Sequence, residues 1–155
     1  MENEKPYGMG VFIDIYPYDG LGTTEKEAVT YGMKGDRLSS LCYQSTREHF
    51  AIETTTSLFR KIIKYPIFIG SKLIGKDYFQ KKLNQLVELK EYEDSNYIGC
   101  IVWLSGGKKE IFLRKWFDET IMVPFEKYQF RVPKDYDEVL RHTYGDYMQL
   151  PPEKD

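Results

Sequence analysis

A chain of 155 residues, 41% hydrophobic and 15% aromatic, has enough apolar surface to bury one domain's core. Lys+Arg 22 against Asp+Glu 24 gives a net charge of -2, so the global basic excess behind non-specific nucleic-acid binding is absent and no nucleic-acid partner is expected. Cys42, Cys100, His49 and His142 lack zinc-ligand spacing and read as reduced structural thiols and structural or surface imidazoles of a cytoplasmic protein.

In chain order, Val11 to Tyr16 alternates and is β-branched, which predicts a strand stopped by Pro17, with Asp19-Gly20 as turn chemistry. Thr23 to about Glu53 reads as helical, with Thr24-Glu25-Lys26-Glu27 as its start and Leu38, Leu41, Cys42 and Ser45 at helical spacing. Leu58, Ile62 and Ile63 predict a helix that Tyr65-Pro66 ends or kinks before a second one. The clearest helix is Asp77 to about Tyr92, with Phe79, Leu83, Leu86 and Val87 on one face. Arg60, Lys61, Lys64, Lys72, Lys76, Lys81 and Lys82 make this region locally basic. Such a run is ordinarily a solvated helix face; the alternative is a surface for anionic glycans or lipid headgroups.

Ile98 to Leu104 reads as a buried strand, far short of the roughly 20 residues a membrane-spanning helix takes. Residues 1–6 lack the basic and apolar regions of a signal peptide, so a membrane is expected to be met only peripherally, at its inner face. After a Ser105-Gly106-Gly107 turn, Glu110 to Asp118 fits helix or strand equally. Ile121 to Phe125 and Tyr128 to Val132 predict a hairpin turning at Glu126-Lys127, with Pro124 putting the first strand on an edge. Pro133-Lys134-Asp135 then opens a helix with a capping-box pattern between Asp135 and Glu138, a buried side at Val139, Leu140 and Tyr144, and a stop at Gly145.

Asp14 reads two ways. It shares a strand face with Phe12 and Tyr16, away from Val11, Ile13 and Ile15, as a solvated acid would. A strand also fixes a carboxylate rigidly, and Mg²⁺ is held by one or two carboxylates together with substrate phosphates. Asp19 fits a turn better than a ligand set. Near the C-terminus, Tyr144-Gly145-Asp146-Tyr147 is both an ordinary helix stop and a loop offering one acid and two phenols to a cleft.

Gly10-Val11-Phe12-Ile13-Asp14-Ile15-Tyr16-Pro17, followed by Trp116-Phe117, Val123-Pro124-Phe125-Glu126, Val132 to Leu140 and the closing Tyr144-Gly145-Asp146-Tyr147-Met148-Gln149-Leu150-Pro151-Pro152, resembles the LicD family over nearly the whole chain. The resemblance implies a small sheet packed by several helices, part of a nucleotidyltransferase-like α/β (α+β) fold. It also implies transfer of phosphocholine, or a related phosphopolyol, from CDP-choline or a similar CDP-alcohol to a cell-surface glycan such as lipopolysaccharide or teichoic acid. On the same resemblance Asp14 is a catalytic acid and ligand of a divalent metal, Mg²⁺ or Mn²⁺, and Tyr144, Asp146 and Tyr147 border the substrate. The family's paired aspartates belong upstream of Gly10, so the chain reads as a single LicD-like domain truncated at its N-terminus. Two readings stay open: a metal-dependent transferase, and a non-catalytic or vestigial binding domain without a complete metal site.

Overall fold

Among the described residues, regular structure begins at Asp19. In the computed structural model, which describes residues 14–50, 57–104 and 107–149 with the side chains of 58–61 excepted, strand β1 covers Asp19–Gly22. Of the strand expected over 11–16, residues 14–16 have no regular structure and 11–13 lie outside the described residues. Pro17 has no N–H to give a ladder, so β1 does not extend back through it. Asp19, expected in a turn, is instead the first paired residue, opposite Gly99 of β2 (Tyr97–Gly99). β2 pairs on its other side with β3 (Ile111–Leu113), giving an antiparallel sheet in the order β1-β2-β3.

Residues Ile98 to Leu104 are buried largely as expected, but only the first two are strand. The chain turns at Ile101 and Val102, and the Trp103 N–H donates to the Cys100 carbonyl at 3.1 Å. That turn drives Ile101 into the core, which it forms with Leu21, Ala28, Leu86, Leu104 and Ile111. Helix α1 (Glu25–Thr46) closes over it through Ala28, Gly32 and Gly35, all buried. A Cβ on Gly35 would stand 2.4 Å from the Ile101 carbonyl oxygen, so helix and turn meet this closely only because Gly35 has no side chain. Thr24 caps α1, its hydroxyl accepting from the Glu27 N–H at 3.3 Å. The helix ends at Thr46, short of the expected Glu53, which lies outside the described residues.

Helix α2 (Leu58–Ile74) runs through Pro66 without ending. Pro66 forfeits one donor, and the break falls instead at Gly75, whose φ of 86° suits a glycine and separates α2 from α3 (Lys76–Val87). α3 buries Phe79 and Leu86, with Leu83 and Val87 half-buried beside them, the face its spacing predicts.

The stretch that fitted helix or strand is both, in short pieces: a 3-10 turn at Gly107–Glu110, then β3, then a second 3-10 turn at Arg114–Phe117. The expected hairpin forms from β4 (Thr120–Phe125) and β5 (Tyr128–Pro133), with Glu126 at a φ of 53°, the left-handed geometry that matches a tight hairpin turn to strand twist. Helix α4 (Tyr136–Tyr144) starts after Asp135, but the capping box is not made. At φ -91° and ψ 32° Asp135 leaves the extended cap geometry, and its side chain makes no capping hydrogen bond. Gly145 closes α4 at a φ of 74°, its N–H donating to the Arg141 carbonyl at 2.8 Å. The architecture is the mixed α+β class expected, with a small sheet packed by helices.

Candidate functional site

The segment before β1 and the end of α4 face each other across a cleft of about 430 Å³. Its walls are aromatic: Tyr16, Tyr18, Trp103, Phe112 and Tyr144. Cys100 and Glu110 supply a thiol and a carboxylate, and α4 contributes Val139, Leu140 and Thr143. Tyr18 is held by two ring contacts, to Phe112 at 5.4 Å and edge-on to Phe117 at 5.5 Å. Phe112 is buried because β3 turns it into the sheet's packing, so Tyr18 leans on a fixed platform.

The electrostatics of this region favour neutral forms. Burial raises the Tyr18 phenol above its ordinary range, and Cys100, Glu110 and Tyr144 add to the effect. The Cys100 thiol is likewise pushed up by burial, opposed by the Val102 and Trp103 N–H groups and reinforced by Asp19 and Glu110. Asp19 is pushed up by burial, and the Ile101 N–H partly offsets this by donating to its carboxylate.

The residues singled out in the sequence fall at different places. Asp14 is exposed, on the irregular segment two residues before Tyr16; the rigid strand setting expected for it is not found. Tyr144, expected on the buried side of α4, is 70% exposed and lines the cleft, because the helix turns Val139 and Leu140 inward and leaves its last residue at the rim. Asp146 is exposed, its carbonyl accepting from the Gln149 N–H at 3.2 Å. The Tyr147 hydroxyl donates to Asp137 Oδ1 at 2.6 Å, while Asp137 Oδ2 accepts from Arg141 Nε at 2.7 Å. The tail is thereby tied back onto α4. Of the four, Tyr144 lines the cleft and the other three do not.

Sequence reasoning missed Tyr16, Tyr18, Trp103, Cys100 and Glu110 as cleft residues. The one local signal was the Tyr16-Pro17-Tyr18 triplet, since a proline between two aromatics holds both on an extended segment. His142, read as structural or surface, is structural: its Nε2 lies 3.1 Å from the Lys108 carbonyl and its ring rests against Phe112 and Trp116. Among the described residues no group of three or more His, Cys, Asp or Glu is placed to hold a metal ion. One carboxylate anchors a divalent cation poorly, so the described residues do not make such a site by themselves.

An open cleft with aromatic walls and few polar groups, set against a small sheet, is the kind of site that takes a small molecule. The chain is 32% identical over 147 residues to the lipopolysaccharide cholinephosphotransferase LicD of Haemophilus influenzae (strain ATCC 51907 / DSM 11121 / KW20 / Rd). The chain is thus similar, over nearly all of its length, to a LicD protein. The match covers 94% of this chain, and the chain spans about half of that relative, 53% of its length. No family model matches the chain, and no solved structure does.

Proposed function

We propose that the chain serves a LicD-type transferase that moves phosphocholine, or a related phosphopolyol, from CDP-choline or a similar CDP-alcohol to a cell-surface glycan such as lipopolysaccharide or teichoic acid. The reading is supported by the 32% identity with a cholinephosphotransferase. The observation that carries it is that Tyr16, beside Asp14 in the first motif, and Tyr144, which opens the last, line one cleft from opposite ends of the sequence. The sheet and its helices are proposed as part of a nucleotidyltransferase-like fold, working at the cytoplasmic face.

The chemistry of the walls suits the choline group. A trimethylammonium has no N–H to donate, so it is recognised by aromatic faces and a nearby negative charge rather than by hydrogen bonds. Tyr16, Tyr18, Trp103 and Tyr144 would supply the faces and Glu110 the charge. Asp146 is proposed to meet the glycan acceptor, with Tyr147 holding that loop through its hydrogen bond to Asp137. Asp14 is proposed as a catalytic carboxylate and one ligand of Mg²⁺ or Mn²⁺, the remaining ligands coming from outside the described residues. Such a cation, when bound, neutralises charge on the donor's phosphates.

The test is release of CMP from CDP-choline with Mg²⁺ or Mn²⁺ and acceptor. Asp14→Asn should abolish release, and release that survives the substitution refutes the ligand assignment. Tyr144→Ala should raise KM for CDP-choline roughly tenfold, the loss expected from one aromatic face around a desolvated cation. A second reading, a non-catalytic or vestigial LicD-like binding domain, draws on the lack of a metal-holding cluster among the described residues. It predicts choline binding, seen as quenching of tyrosine and tryptophan fluorescence, without CMP release.

A further inference from the structure

The face that α2 turns outward is apolar, the reverse of what a helix on the surface of a soluble domain presents. Ile62, Pro66, Ile69 and Leu73 recur at intervals of four, three and four, which places them in one stripe. All four are exposed, Ile62 to 71% and Leu73 to 84%. Ile63, Ile67 and Ile74 widen the stripe on one side and are exposed as well. The opposite face carries the buried seam, Phe68 and Ser71, by which the helix is held to the body of the protein.

The charges have one sign. Between Glu53 and Asp77 the sequence contains Arg60, Lys61, Lys64, Lys72 and Lys76 and no acid, although the whole chain is slightly negative. Lys64 and Lys72 are exposed on the seam side of the helix, one turn before and one turn after Phe68, with Lys72 Nζ 5.6 Å from the centre of the Phe68 ring. Among the described residues neither has a carboxylate partner. The apolar stripe thus points away from the protein while the ammonium groups stand behind it, where long lysine stems reach a charged layer as an apolar face sinks beneath it.

From this arrangement we infer that α2 docks in the plane of an anionic lipid surface, its isoleucine and leucine stripe in the acyl boundary and its lysines among the headgroups. No described helix is long and apolar enough to cross a membrane, so the contact lies on the bilayer rather than through it. A second copy of the chain is a poor occupant of the same face. A two-fold contact would bring the cationic borders together with no acid on α2 to answer them. The inference stands apart from the transferase reading and holds or fails without it.

The test is co-sedimentation of the chain with vesicles of phosphatidylcholine alone and of phosphatidylcholine mixed with phosphatidylglycerol. Binding to the anionic vesicles should be roughly tenfold stronger and should weaken at high salt. Leu73→Glu should abolish it while leaving the thermal unfolding curve in place, because Leu73 is exposed; Ile62→Glu, at the other end of the stripe, repeats the test on independent ground. Joint replacement Lys64→Gln and Lys72→Gln should remove the preference for phosphatidylglycerol, and Leu73→Trp should gain blue-shifted emission on adding anionic vesicles. The inference is overturned if the unaltered chain binds neither vesicle, if Leu73→Glu binds as well as the unaltered chain, or if the chain is a dimer in solution that Leu73→Glu splits.

Discussion

Two residues decide how closely the helices approach the core. Gly35 admits the Ile101 carbonyl where a methyl group would collide with it. Because that neighbour is backbone at a turn, it cannot rotate away, so Gly35→Ala should destabilise the protein by about 1–3 kcal/mol in urea unfolding. Tyr31 links α1 to the end of α3, its hydroxyl donating to the Leu86 carbonyl at 2.5 Å. Tyr31→Phe keeps the ring beneath the Lys90 ammonium and loses only the hydroxyl, a cost of about 1 kcal/mol. At this scale the sequence reads Asp14 as a strand residue and Asp19 as a turn residue, each on its immediate neighbours alone. Folding separates them: Asp19 receives the Ile101 N–H from a turn far along the chain, and Asp14 stays in solvent. No local spacing encodes a partner that distant.

Among the elements, the start of α1 is the most heavily tied. Glu27 accepts from the Lys90 ammonium and, at 3.0 Å, from the Thr23 N–H, joining the helix entry to the segment after α3. The Lys90 hydrogen bond, then that of Thr23, lowers its carboxyl from the ordinary 4.5 to about 2. The folded value lies below the unfolded one, so this stabilisation is complete above pH 4.5 and is lost as pH falls toward about 2. Glu27→Gln should therefore flatten the fall in unfolding temperature across that window, as a thermal denaturation series in pH would read. This helix start, the apolar face of α3 and the β4–β5 hairpin were legible in the sequence because each is set by residues within a few positions of one another. Three features were not. Pro66 left α2 intact because on an exposed helix face water can take the carbonyl that proline leaves without a donor, Asp135 takes a backbone geometry away from that of an extended cap, and the 110–118 stretch is cut into single turns by its pairing with β2. Of the cleft only Tyr144 was legible, since Cys100 and Trp103 reach it through the core turn and Glu110 from the 3-10 turn before β3.

Across the whole molecule, one core holds α1, α3 and the three-stranded sheet together, and Ile101 sits at its centre with no exposed surface. Ile101→Ala should cost about 2–5 kcal/mol, measured by chemical denaturation, through lost burial and the cavity left against α1. The β4–β5 hairpin lies outside this arrangement. Neither of its faces is buried, Phe125 and Tyr128 stand in solvent, and its open end is latched by Lys134, whose N–H donates to the Glu119 carbonyl at 2.8 Å and whose ammonium meets the Glu119 carboxylate at 2.8 Å. Two strands joined only to each other gain little from cooperating with the remainder. In heavy water the ribbon's amides should take up deuterium early, through a private opening, while those of Ile98 and Ile101 wait for the entire chain to come apart.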